Sequence, residues 1–251
     1  MSPAASDYTS AGADPGARAG AHHHGSATRI ELRHATVLFS GRDEGDLGRT
    51  TGPPTPAVQA NRAAILELCG LGAIAAGSQV HACTVVVARA DRPGYVVDDS
   101  LQADGQVTQA PELGVGVHVA DCLPIAVAGD GGVAMIHAGW RGLAGGIVPE
   151  AVRTLRALGV QGPLEAAIGP GAGGCCYEAG PEVHAPFAAY RASNGRRLDL
   201  AAIATAQLQE AGVDSVGDTG LCTLCAPAGL FFSHRRDGPE TGRQGGFAWL
   251  R

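Results

Sequence analysis

Apolar residues recur along this chain in two rhythms. Continuous β-branched and aliphatic runs predict strands over residues 29–39, 79–88, 115–119, 123–128, 133–136, 164–168 and 230–233. Spacings of three and four predict helices elsewhere. Thr55-Pro56 has the form of a helix start, with Thr as cap and Pro in the first turn. Val58, Arg62, Ile65, Leu66 and Cys69 follow at helical spacing, and Gly70 stops the run. Residues 147–158 form a second helix, with Val148, Val152, Leu155 and Leu158 on one face. Residues 181–190 and 199–211 give two more, the last capped by Asp199 and ended by Gly212.

Strands and helices mix without strict alternation. That order predicts a mixed-sheet α+β or α/β domain rather than a doubly wound one. Residues 1–27 are rich in Ala, Gly, Ser, Asp and Pro without periodicity and are expected to form a disordered tail, with His22-His23-His24 inside it. A loop of Gly, Asp, Thr and Pro spans 41–54. Neither a repeat nor an internal linker interrupts residues 28–251, so a single domain is expected there.

Composition narrows the function classes. The 251 residues are 45% hydrophobic, enough for a sizeable core, and carry a net charge of −6 without a basic run. Nucleic-acid binding is not favoured. No apolar run approaches the roughly 20 residues of a membrane span, and the N-terminal residues lack a signal-peptide core. Seven Cys in a chain of this length point to a reducing cytoplasm rather than a disulfide scaffold. All 18 basic residues are Arg. Lysine-based chemistry is therefore excluded, and anionic groups must be met by Arg or His.

Candidate chemistry gathers at strand ends. The run Val133-Ala134-Met135-Ile136 leads into His137-Ala138-Gly139-Trp140-Arg141-Gly142, which sets an imidazole, an indole and a guanidinium among glycines. Unpaired His and Arg are costly in a core, whereas strand-end loops hold reactive groups on a rigid frame. His81 and Cys122 also sit at strand ends or edges. With His137 they form a His2Cys set, which leaves a fourth position open, as in catalytic zinc sites. The same residue types also fit one core Cys with two hydrogen-bonded His, or a blue-copper centre with Met135 as axial ligand.

The strings Gln79-Val80-His81, Ala120-Asp121-Cys122-Leu123-Pro124, the hexapeptide at 137–142, Cys175-Cys176-Tyr177-Glu178, Ser233-His234-Arg235-Arg236-Asp237 and Thr241-Gly242-Arg243-Gln244 occur in that order. Together they resemble the laccase-domain family, also called the multicopper polyphenol oxidase or peptidoglycan-editing-factor family, from about residue 29 to 251. The resemblance implies an α/β/β/α-type sandwich and a zinc-dependent purine nucleoside enzyme. It implies phosphorolysis of adenosine, inosine, guanosine and methylthioadenosine, deamination of adenosine, and Zn2+ held by His81, Cys122 and His137. Three departures stand out: Ala82 follows His81 where Gly is usual, Gly169-Pro170-Gly171 lacks a family Cys at 171, and the segment 41–54 is poorly kept.

Each activity makes its own demands. Zinc lowers the pKa of water toward neutrality, which suits attack on purine C6. Asp121 and Glu178 are the carboxylate candidates for moving protons. Phosphorolysis needs phosphate aligned against ribose C1′, work for Arg and helix N-termini. Arg141 is the first candidate and Arg62 the second. Trp140 is placed at the substrate, and Cys122 and Asp121 among the catalytic groups. Purine nucleosides and phosphate are thus the expected partners of a monomer or homodimer.

Three alternatives remain, one of them a non-catalytic, zinc-stabilised binding protein. A copper phenol oxidase with a trinuclear cluster needs about eight His beyond a blue-copper site, by comparison with true multicopper oxidases. Outside the tail the chain has only His34, His81, His118, His137, His184 and His234. Copper can nonetheless replace zinc at a nitrogen site. A cysteine hydrolase of cell-wall precursors would pair Cys122 with His137 without metal. Cys175-Cys176 is expected in a tight turn, and Cys222-Thr223-Leu224-Cys225 to stand without a partner pair.

Overall fold

The computed structural model describes residues 21–24, 26–49, 52–89 and 91–251. Strands β1 (Ala21–His24), β2 (Ala27–Glu31) and β3 (Ala35–Phe39) open the fold, and helix α1 (Pro56–Cys69) follows. Next come β4 (Ala73–Ser78), β5 (Val85–Val87), β6 (Gly94–Gln102), β7 (Gly105–Thr108), β8 (Leu113–Val119), β9 (Leu123–Gly129) and β10 (Gly132–Ala138). Helices α2 (Trp140–Gly145) and α3 (Ile147–Ala157) lead to β11 (Glu165–Ile168). The remainder is α4 (Pro181–His184), a hairpin β12 (Ser193–Asn194) and β13 (Arg197–Leu198), α5 (Leu200–Glu210), β14 (Ser215–Asp218), α6 (His234–Asp237) and β15 (Gln244–Leu250).

Two mixed sheets carry the core. One has the order β1-β2-β3-β15-β8-β4-β6, the other β14-β11-β9-β10-β7-β5. Their facing sides meet through Val37, Phe39, Val115, Val117 and Ala248 from the first, and Ala126, Ala128, Val133 and Met135 from the second. On the outer face of the first sheet, Ile65 and Cys69 of α1 pack with Leu38, Ile74, Phe247 and Trp249. On the outer face of the second, Val148, Val152 and Leu155 of α3 and Ile203 and Leu208 of α5 cover Ile125, Val127 and Ile136. The layers therefore run helix, sheet, sheet, helix in one α+β domain. Each fully buried Val, Leu, Ile or Phe contributes about 1.5–3 kcal/mol, against strand propensities that span about 1 kcal/mol. Burial thus decides the matter for a poor strand former such as Ala73–Ser78.

Several elements differ from the sequence expectation. The run 79–88 is not one strand, because the chain turns between β4 and β5 into the other sheet. The carboxylate of Asp104 accepts from three successive amides, Val80, His81 and Ala82, and that bends the chain there. Residues 230–233 form no strand; the last strand is β15, buried at every position and paired with both β3 and β8. Gly246 is required in it, since a Cβ there would stand 2.6 Å from Pro124 Cβ. The helix expected over 181–190 ends at His184 and continues as a 3-10 turn, Ala185–Tyr190, because Pro186 has no N–H to return to Glu182. Of the expected tail, residues 1–20 lie outside the described residues, while β1 pairs antiparallel with β2.

The topology brings several strand ends together. β4 and β8 run parallel and end side by side, and β10 ends where β9 begins, with Ala138 opposite Leu123. The loops after β4, β8 and β10 therefore open on one shared end of the two sheets.

Candidate metal centre

The loops after β4 and β8 carry His81 and Cys122, and the end of β10 carries His137; their ligand atoms all lie within 4.8 Å of one another. The His81 and His137 rings stand edge to face with centroids 4.8 Å apart. Nitrogen and sulfur donors at this separation, with one side open, fit a metal such as zinc. His81 holds φ 60° and its neighbour in the site, Asp121, φ 87°. Such backbone costs about 1–3 kcal/mol per non-glycine residue, and it collects at functional sites. Gly139 gives the sulfur its room, since a Cβ there would lie 2.8 Å from Cys122 Sγ.

Asp104 organises the triad from beneath, and nothing in the sequence singled it out. It is fully buried. Its Oδ1 accepts from His137 Nδ1 at 2.7 Å and from the His81 amide at 2.9 Å, and its Oδ2 accepts from the amides of Val80 and Ala82. With Nδ1 protonated toward Asp104, His137 presents Nε2 to the site. Burial by itself pushes the Cys122 thiol up, but the charge of His137 and hydrogen bonds from His137 and His81 outweigh it, and the thiol moves down. Burial pushes the His137 imidazole down, but Cys122 and Asp104 reverse this, and it moves up. The thiolate is the ligand form of cysteine.

Above the triad lies a cavity of about 430 Å3. Its walls include Gln79, His118, Trp140, Tyr177 and Leu200, and its cations are Arg49, Arg141, Arg235 and Arg243, with His234 beside them. Arg141 lies 4.4 Å over the Trp140 ring and Arg235 5.0 Å over that of Tyr177. Asp121 also lines the cavity. Its Oδ1 accepts from the Thr223 hydroxyl at 2.6 Å and its Oδ2 from the Arg235 amide at 2.7 Å. Burial pushes the guanidinium of Arg243 below its ordinary value.

The structure therefore brings together His81, Asp121, Cys122, His137, Trp140 and Arg141. It does not bring in Arg62 or Glu178. Arg62 is buried in α1, where it donates to the carbonyls of Leu47 and Arg49, at 2.9 and 3.1 Å. It holds the 47–49 loop and does not line the cavity. Glu178 points away toward Arg196, with half of its side chain in solvent. A side chain at position 171 would meet Leu123 and not the cavity. Met135 is core between the sheets and no axial ligand. Arg235 and Arg243, present in the sequence only within the family strings, form part of the wall, while Arg49, Gln79 and Tyr177 gave no signal of their own.

The profile of the multi-copper polyphenol oxidoreductase laccase family matches residues 27–251. The chain belongs to this family. The chain is 34% identical over 240 residues to a purine nucleoside phosphorylase of Mycobacterium tuberculosis, covering 88% of this chain and 93% of the relative. It is 35% identical over 223 residues to one from Streptomyces coelicolor, covering 83% and 88%. A crystal structure of a DUF152 protein from Neisseria meningitidis superposes with TM-score 0.74 at 27% identity, over 90% of this chain and 99% of that one. YlmD from Geobacillus stearothermophilus gives 0.73 at 27% identity, over 90% and 92%. Among the described residues no helix is long and apolar enough to cross a membrane.

Proposed function

We propose that this laccase-family member is a zinc-dependent purine nucleoside enzyme. Its reaction is phosphorolysis of adenosine, inosine, guanosine and methylthioadenosine, with adenosine deamination as a second activity. The observation that carries the reading is the His81–Cys122–His137 triad at the floor of a cavity rimmed by arginines. A Zn2+ held there would supply Lewis acidity and a lowered pKa for water. Copper is the alternative ion for the same donors.

The remaining work falls to the chain. Arg141, Arg235 and Arg243 are suited to orient phosphate, whose oxygen bonds to ribose C1′ as the bond from C1′ to the purine nitrogen breaks. Trp140, Tyr177 and Leu200 line the cavity and offer apolar surface for the base. The departing purine takes up a proton, and Asp121 is the carboxylate in reach of the cavity; Glu178 is not. Asp104 keeps His137 in one tautomer. Names of relatives support the nucleoside substrate.

The phenol-oxidase alternative lacks ligands. His34 stands beside Asp130, His118 is engaged by Gly48 and Tyr95, and His184 by Ser193 and Arg196. None of these joins the triad, and among the described residues no group of His outside it gathers as a metal set. A specific observation favours one second reading. His137 bonds both Cys122 and Asp104, the order of a Cys-His-Asp hydrolase.

Incubation with adenosine, with and without phosphate, tests the proposal. Adenine release that requires phosphate is expected, along with inosine. Absence of turnover of every purine nucleoside would overturn it. Activity on cell-wall peptides that survives chelation would favour the hydrolase.

A further inference from the structure

Cys175-Cys176 and Cys222–Cys225, which looked unrelated in sequence, meet in space. Their sulfurs all lie within 4.8 Å of one another. Cys175 Sγ stands 3.5 Å from Cys225 Sγ, and no disulfide links any of the four. The fold explains the meeting. β11 and β14 are parallel neighbours, so the loops that leave their C-terminal ends run side by side, and Gly171 bridges to Cys222. One loop supplies the vicinal pair and the other the C-x-x-C pair.

We propose that these four cysteines form a second, structural zinc site. Tetrahedral Zn–S bonds of about 2.3 Å place sulfurs about 3.8 Å apart, close to the separations found here. The local backbone has the form such sites use. Amides of Gly173, Leu224 and Cys225 donate to Cys222 Sγ, with Gly173 at 3.3 Å. These bonds ease the negative charge that a four-thiolate shell carries. The close approach makes a side chain at Gly173 a tight fit, since a Cβ would stand 3.2 Å from Cys222 Cβ and 3.3 Å from Cys175 Sγ. On binding, the thiols release their protons and the metal closes the shell, with no open position.

The site clamps the two loops that support the triad from one side. Thr223, between the paired cysteines, donates to Asp121, and the Ala172 amide donates to the Asp121 carbonyl at 2.7 Å. The role is therefore to hold Asp121 and, next to it, Cys122.

The test is metal counting on the full chain, purified under reducing conditions without chelator. The wild type is expected to hold about two zinc ions and the His81→Ala/His137→Ala variant about one. In that variant, zinc protects Cys175, Cys176, Cys222 and Cys225 from alkylation, and a strong chelator exposes all four together. Cobalt loaded into it gives intense thiolate-to-metal charge-transfer absorption, which Cys225→Ser weakens. A variant that holds no metal while all four thiols alkylate at once overturns the proposal. So does a disulfide among the four in protein kept anaerobic. None of these readouts depends on nucleoside turnover.

Discussion

Asp104 Oδ1 lies 2.7 Å from His137 Nδ1, and the same oxygen accepts the backbone amide of His81. One buried carboxylate thus fixes the ring of one proposed ligand and the main chain of the other. Replacing it with Asn substitutes an N–H2 group for an acceptor in a pocket of donors. Asp104→Asn is expected to weaken zinc affinity about 10–100-fold, the usual effect of losing a ligand's carboxylate partner. Competition against a chromophoric chelator measures it, and unchanged affinity would refute the orienting role.

Gly139 has ordinary extended backbone, φ −79° and ψ 173°, so Ala is free of backbone strain there. Its cost is the Cβ placed 2.8 Å from Cys122 Sγ. Overpacking of this kind costs about 1–3 kcal/mol, and here it falls on a sulfur whose position matters. Gly139→Ala should stay folded by circular dichroism while losing metal affinity and turnover together. Wild-type metal binding in this variant would show that Cys122 has slack.

How far the sequence foretold this site depended on how local each signal was. Helix α1 was legible at both ends because Thr55 accepts from the Val58 amide and Gly70 adopts the left-handed conformation. β10 was legible because it is buried along its whole length and residues 133–136 form an unbroken apolar run, although the strand continues through His137. β15 was hidden by Gly245-Gly246, which meet neighbours only the fold supplies. Asp104, next to Gly105, has the look of an ordinary turn residue, and its partners arrive from residues 80–82 and 137. The four cysteines were missed for a related reason: their meeting needs β14, a strand of Ser-Val-Gly-Asp too short to expect.

Arg62 and Arg141 were both expected at the anion, and they separate cleanly by environment. Arg62 is 6% exposed and satisfies two carbonyls. Arg62→Met strands both, and is expected to lower stability by about 2–4 kcal/mol with little change in phosphate KM for the folded fraction. Arg141 is exposed at the cavity wall. Arg141→Ala should leave stability within about 0.5 kcal/mol and raise phosphate KM roughly tenfold or more, the worth of one charge-assisted contact. Urea midpoints and phosphate titrations measure the two quantities. The opposite pattern would return Arg62 to the substrate and remove Arg141 from it.

His118 supplies a pH dependence that can be signed. Its ring is buried, with Nδ1 2.8 Å from the Gly48 carbonyl and Nε2 2.7 Å from the Tyr95 hydroxyl. Gly48 can only accept, so Nδ1 carries the proton and Nε2 accepts from Tyr95, a pairing that serves the neutral ring. Burial first, then Arg62, pushes its pKa down to about 3. In the unfolded chain it titrates near about 6.5. Between those values the unfolded state binds a proton that the folded state refuses, so stability falls as pH falls through this window, by up to about 1.4 kcal/mol per pH unit from this group. His118→Gln is expected to be less stable at pH 7 but to lose less stability on acidification. Urea midpoints for both proteins from pH 7 to 4 measure the slopes, and equal slopes would mean that His118 protonates in the folded protein.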